Sequence, residues 1–79
     1  MMQLCTLPGL FPEAVGRFRE HGCIVELFNT HTVVTLPEGS RRVVVRPRTY
    51  YERYDILLPD GYFIREVLDR EGRSSLYFS

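Results

Sequence analysis

The spacing of hydrophobic positions changes near Gly22. Before it, four apolar residues stand at positions i, i+3, i+4 and i+7, namely Phe11, Ala14, Val15 and Phe18. Pro12 suits a first helical turn because its missing N–H is not needed there. Gly22 suits the left-handed residue that ends many helices. We therefore predict a helix over residues 12–21, with the four apolar residues on its inner side.

The rest of the chain has the short, alternating and β-branched pattern of strands. Such stretches cover residues 3–7, 23–28, 32–36, 41–47, 54–58, 62–68 and 75–78, and turn residues separate them. We expect one α+β domain over residues 1–79, with the helix packed on a twisted, mostly antiparallel sheet of five to six short strands (β-α-β-β-β-β-β). A sheet of this many short strands can also curl into a half-barrel. The alternative is a small SH3-like or OB-like barrel from residue 23 onward, with the helix as a lid.

The strongest strand signal is the three-valine run in residues 41–47. Period-2 alternation predicts a cationic face, made of Arg42, Val44, Arg46 and Arg48. It places Val43 and Val45 on the opposite, apolar face. We predict that these two valines pack with Phe18 in the core.

Charge is concentrated in the same segment. The chain has ten basic and ten acidic residues, yet residues 41–53 hold five arginines against Glu52, a local net charge of +4. Residues 1–40 and residues 54–79 each carry a net charge of −2. Arginine and tyrosine dominate the energetics of many protein interfaces. The predicted partner-binding residues are Arg42, Arg46, Arg48, Tyr50, Tyr51 and Arg53. The alternative is a solvated strand face whose arginines pair with acids such as Glu26, Glu38 or Glu66.

The two cysteines stand in apolar strand contexts, so Cys5 and Cys23 are expected to be buried, reduced and dispensable. A disulfide between Cys5 and Cys23 is an alternative if the first two strands are neighbours. A zinc site would need His21 and His31 as further ligands, but no CxxC spacing supports it, and we expect no metal. His21 has a simpler role as a cation at the end of the helix.

Catalytic signatures are missing from the sequence. Neither histidine has a serine or cysteine in a recognisable nucleophile context, and no phosphate-binding loop is present. Glu52 and Asp55 stand three residues apart across a predicted turn, which does not indicate a catalytic carboxylate pair. We expect a non-enzymatic protein without a cofactor.

The first functional hypothesis is a protein-binding module that docks on or inhibits a larger protein or ribonucleoprotein complex. The alternative is a small nucleic-acid-binding protein that contacts phosphates through residues 41–53; overall neutrality disfavours it. In size and class alone, without a shared motif, the chain is similar in kind to small phage and mobile-element inhibitors, anti-CRISPR proteins among them. No apolar run approaches the length of a membrane span, and no leader pattern is visible. We expect a cytoplasmic monomer or weak homodimer.

Overall fold

The protein is an α+β fold with two antiparallel sheets. The computed structural model describes residues 2–7, 9–46 and 51–78. Within them, the elements are β1 (Gln3–Thr6), α1 (Pro12–Glu20), β2 (Ile24–Leu27), β3 (Thr32–Thr35), β4 (Arg41–Arg46), β5 (Tyr51–Leu57), β6 (Phe63–Asp69) and β7 (Ser74–Phe78). The strand orders are β1-β3-β2 and β4-β5-β6-β7. The predicted class is confirmed. Seven strands in two sheets replace the five to six strands in one sheet that we expected, and no closed barrel forms among the described residues.

The helix ends as its sequence predicts. Gly22 has a φ of 86° and donates its backbone N–H to the carbonyl of Arg19, while the N–H of Cys23 bonds to the carbonyl of Phe18. These two bonds satisfy carbonyls that the last helical turn leaves unpaired. A residue with a side chain would be strained at this φ, so the glycine allows the chain to turn into β2.

The four-stranded sheet is a meander, and tight turns join β5 to β6 and β6 to β7. The turn after β5 contains Pro59-Asp60-Gly61 and closes with a 2.8 Å bond from the Leu58 N–H to the Tyr62 carbonyl. Strand β5 begins at Tyr51, three residues before the predicted start. Glu52 and Asp55 therefore lie within one strand, and the turn expected between them is wrong.

The core lies between the helix and the inner faces of both sheets. Phe18 is fully buried and its ring meets that of Phe78 edge-on, with centroids 5.4 Å apart. The buried hydrophobic residues are Leu4, Val15, Phe18, Cys23, Val25, Val34, Leu36, Ile56, Leu58, Ile64 and Leu76. Phe11, at the helix N-cap, is 80% exposed, so the predicted helix stripe is buried at Val15 and Phe18 only.

The predicted burial of Val43 and Val45 is wrong. Val43 is 41% exposed and Val45 46% exposed. Strand β4 is an edge strand, and Val43 is in register with Asp55 on the side of the sheet that faces away from the core. The core-facing side of the sheet is formed instead by Ile56 of β5 and Ile64 of β6, which are both fully buried.

The expectation that both cysteines are buried is half correct. Cys23 is buried, whereas Cys5 is exposed on β1, and both thiols are free. The central strand β3 separates β1 from β2, so the first two strands are not neighbours and the geometry for a disulfide does not arise.

Candidate partner-binding surface

The β4–β5 hairpin places the predicted binding residues on two different faces. Arg42 is in register with Ile56, and Val44 with Tyr54, on the inner face of the sheet. Arg53 and Asp55 alternate with these residues and lie on the outer face. A register shift between Val44 and Arg46 interrupts the alternation of β4.

The inner face holds a polar cluster next to the core. Arg42 Nε donates to Glu66 Oε1 over 2.8 Å, and the Arg42 guanidinium carbon lies 3.8 Å from the centroid of the Tyr54 ring. The Tyr54 hydroxyl donates to Glu52. Because the Glu66 side chain is only 5% exposed, its charge depends on Arg42 for compensation. Arg42 therefore links β4 to β6 across the Tyr54 ring, which belongs to β5.

The hydrogen bond from Tyr54 to Glu52 also affects ionisation. It is the largest cause of a pKa of Tyr54 above its usual value, followed by desolvation. The phenol stays protonated and keeps donating to the carboxylate at neutral pH. This arrangement keeps the Tyr54 ring under the guanidinium of Arg42.

A cleft of about 720 Å³ opens beside this cluster, between β1 and the inner face. Its polar wall contains Arg42, Tyr54 and Glu66, and its apolar wall includes Leu4 and Val44. The exposed Cys5 also lines it. Of the described residues that line the cleft, Arg42 supplies the only guanidinium and it is paired with Glu66, so this lining has no unpaired charge to select a ligand.

The opposite side of the four-stranded sheet forms what we call the outer sheet face. Strand pairing and alternation place on it Arg41, Val43, Tyr51, Arg53, Asp55, Leu57, Phe63, Arg65, Val67, Asp69, Ser75 and Tyr77. Leu57 is 41% exposed and Tyr77 is 57% exposed. No helix or strand of the described residues covers this face, since α1 packs on β2 and β7 from the core side.

Charges on the outer sheet face are only loosely paired. Arg53 Nη2 lies 3.7 Å from Asp55 Oδ1, beyond hydrogen-bond distance. Arg53 Nε and Asp55 Oδ1 are both buried atoms without a hydrogen-bond partner. Arg53 and Asp55 therefore attract each other without a close hydrogen bond between them.

The six predicted binding residues thus do not form one patch. Arg42 is held on the inner face by Glu66, an acid that the alternative interpretation named as a partner, but Glu66 is buried rather than on a solvated face. Arg53 lies on the outer sheet face, and Tyr51 is exposed at the start of β5. Arg46 ends β4 at a position in register with Arg53. Arg48 and Tyr50 lie outside the described residues.

Several residues of the outer sheet face were missed by the sequence analysis. Leu57, Arg65 and Tyr77 lie outside the basic segment in sequence, and strand pairing brings them beside it. The turn Pro59-Asp60-Gly61 fixes the register of β5 against β6, and Asp69-Arg70-Glu71-Gly72 fixes that of β6 against β7. Counting outward from those two turns would have aligned Asp55, Arg65 and Tyr77 in one row.

Two histidines lie away from this surface. His21 Nδ1 lies 2.6 Å from Asp60 Oδ2, and the His21 ring packs on Tyr62 and Phe78. The ring of His31 stacks on Phe28. In residues 2–7, 9–46 and 51–78, no three side chains of His, Cys, Asp or Glu are grouped as a metal would need. No helix in this part of the chain has the length and apolar character to cross a membrane.

Comparisons with protein-family models, curated proteins and solved structures give no match to this chain.

Proposed function

We propose that the protein is a non-enzymatic binding module that docks on another protein through its outer sheet face. The observation that carries this proposal is the composition of that face. The solvent side of an antiparallel sheet is usually polar. Here Val43, Leu57 and Tyr77 are exposed, and Arg41 and Arg65 lie beside them in cross-strand register.

Contiguous apolar surface bordered by polar groups is typical of interaction sites. Arginine and tyrosine are the residue types that most often dominate binding energy. The loose Arg53–Asp55 pair supports the same role, because a partner carboxylate would offer Arg53 a shorter, forked contact. The preferred partner surface offers apolar groups to the exposed Val43, Leu57 and Tyr77, and acidic groups to the arginines beside them.

An affinity-capture experiment tests the proposal. The wild-type protein serves as bait in a nuclease-treated lysate of the cells that make it, beside an Arg65→Glu/Tyr77→Ala bait. We expect a specific protein to bind the wild type and to lose at least about thirtyfold in affinity for the variant. The matched control is Arg73→Glu, an exposed reversal in the β6–β7 turn, which should retain the partner.

Two results would contradict the proposal. One is a partner that the Arg65→Glu/Tyr77→Ala bait retains in full. The other appears in a parallel capture from untreated lysate: a partner that binds there, is lost after nuclease treatment and weakens steeply with salt would favour the phosphate-binding alternative.

A further inference from the structure

Strand β4 leaves one side of the four-stranded sheet unpaired. It pairs with β5 on one side, and no strand among the described residues pairs with its other side. Residues 41–45 are all exposed. An edge strand of this kind presents backbone N–H and C=O groups that another chain can pair with.

The other edge of this sheet, β7, is partly occupied. The Leu7 N–H donates to the Ser74 carbonyl over 3.0 Å, and the Thr6 hydroxyl donates to the same oxygen over 2.8 Å. The edges of the three-stranded sheet are only four residues long. β4 is therefore the longest open edge of the described chain, with six residues.

The sequence of β4 selects what can pair with it. Three valines favour the extended conformation, and arginines stand at both ends. Val45 is the extra residue of the bulge in β4, so two copies that paired antiparallel through the other five residues would place Arg41 of each copy opposite Arg46 of the other. Like charges in opposite positions destabilise a strand pair, so these arginines disfavour self-pairing.

We infer that the free edge of β4 accepts an extended strand of a protein partner, with acidic residues opposite Arg41 and Arg46 and β-branched residues between them. Such strand addition gains affinity from main-chain hydrogen bonds and specificity from alternate side chains. The inference rests on the proposed function and specifies the segment that the partner contributes. The added strand would extend the outer sheet face by one strand.

The chain itself supplies the probe. A copy with Arg41→Glu and Arg46→Glu keeps the three valines and carries acids at both ends. Mixed with the wild type, it places Glu opposite Arg at both ends of an antiparallel pair. In sedimentation velocity, we expect a one-to-one complex at concentrations where each protein alone is monomeric. Mixed association should be at least about tenfold tighter than self-association of either protein, and weaker in high salt.

Two further variants make the result decisive. Arg70→Glu/Arg73→Glu has the same change in net charge in the β6–β7 turn, and it should form no complex with the wild type. Arg41→Gln/Arg46→Gln removes the repulsion without reversing it, and it should self-associate; circular dichroism checks the folding of all variants. If the Glu variant does not fold, the Gln variant decides.

The inference is overturned if the mixture of the wild type and a folded Glu variant stays monomeric. If the Glu variant is unfolded, a Gln variant that stays monomeric overturns it. It is also overturned if the turn variant binds the wild type equally well, because the attraction would then be general. These outcomes are separate from those of the capture experiment, whose variants alter Arg65 and Tyr77 and leave β4 unchanged.

Discussion

Arg42 places Nε and Nη2 each 2.8 Å from the same oxygen of Glu66. The two residues belong to β4 and β6, so the pair crosses the intervening strand above the Tyr54 ring. Glu66 is almost fully buried, whereas the Arg42 side chain is 34% exposed. The contact is therefore a link within the sheet, and Arg42 has little freedom to serve a partner.

The first prediction concerns this pair. Arg42→Ala should lower the free energy of unfolding by about 3 kcal/mol, because it leaves the Glu66 carboxylate buried without compensation. The value is at the low end for buried pairs since Arg42 is partly exposed. Urea denaturation measures it. The control is Arg42→Leu/Glu66→Leu, which removes both charges and should stay within about 1 kcal/mol of the wild type. An unchanged stability of Arg42→Ala would show that Glu66 does not depend on it.

The second prediction concerns the core. Phe18→Ala should cost about 3–5 kcal/mol, because the ring is fully buried and packs edge-on against Phe78. A domain of this size has little stability to spare, so thermal unfolding monitored by circular dichroism should show a large fall in the midpoint. Phe11→Ala is the matched control on the same helix, since that ring is 80% exposed and its loss should change the midpoint little. Equal effects of the two changes would contradict the assignment of the buried side.

The third prediction separates the two thiols. Cys5 is exposed, whereas burial is the main cause of a pKa of the Cys23 thiol above its usual value, with the Asp60 charge second. A thiol reagent should therefore modify Cys5 in the folded protein and reach Cys23 only after denaturation. Mass spectrometry of the modified protein, with Cys5→Ser as the control, counts the labels. Rapid double labelling under native conditions would contradict the burial of Cys23.

The fourth prediction concerns acid pH. The hydrogen bond from His21, and then that from the Tyr62 backbone, hold the pKa of Asp60 below its ordinary value of 3.8. A carboxyl group with a lowered pKa in the folded state stabilises the protein above its ordinary pKa. That contribution is lost as the pH falls through the lowered value. His21→Ala should move the pKa of Asp60 upward, and an NMR titration of the carboxyl carbon measures it. The Asp60 pKa should not move in His31→Ala; if it does not move in His21→Ala either, the proposed cause is wrong.

Local signals in the sequence predicted the helix and the turns after β5 and β6 well, but not the start of β5. Pro12 and Gly22 bound the helix because their effects depend on the backbone alone, and Pro59-Asp60-Gly61 does the same for the β5–β6 turn. The division into two sheets depends on which strands pair, and no local signal specifies that β1 pairs with β3 rather than β2.

The candidate site was harder to predict for a related reason. A run of three valines does not say which side faces the core, and the bulge near Val45 breaks the alternation that we extended from Arg42 to Arg46. The partner of Arg42 lies 24 residues away in sequence. A carboxylate at an inward position of β6 was the available signal for Glu66, since buried acids are almost always paired.

The contacts between β1 and β7 have a consequence for how the chain folds. The bond between Thr6 and Ser74 joins residues 68 positions apart, whereas β4, β5 and β6 each pair with the next strand along the chain. Closing a long loop costs more entropy than closing a hairpin, and it must occur before its contacts stabilise the chain. We therefore expect the meander to form early and β1 to dock late. Until it docks, Leu4 and the edge of β3 that pairs with β1 remain open to water, and this interval is when the chain is most exposed to aggregation.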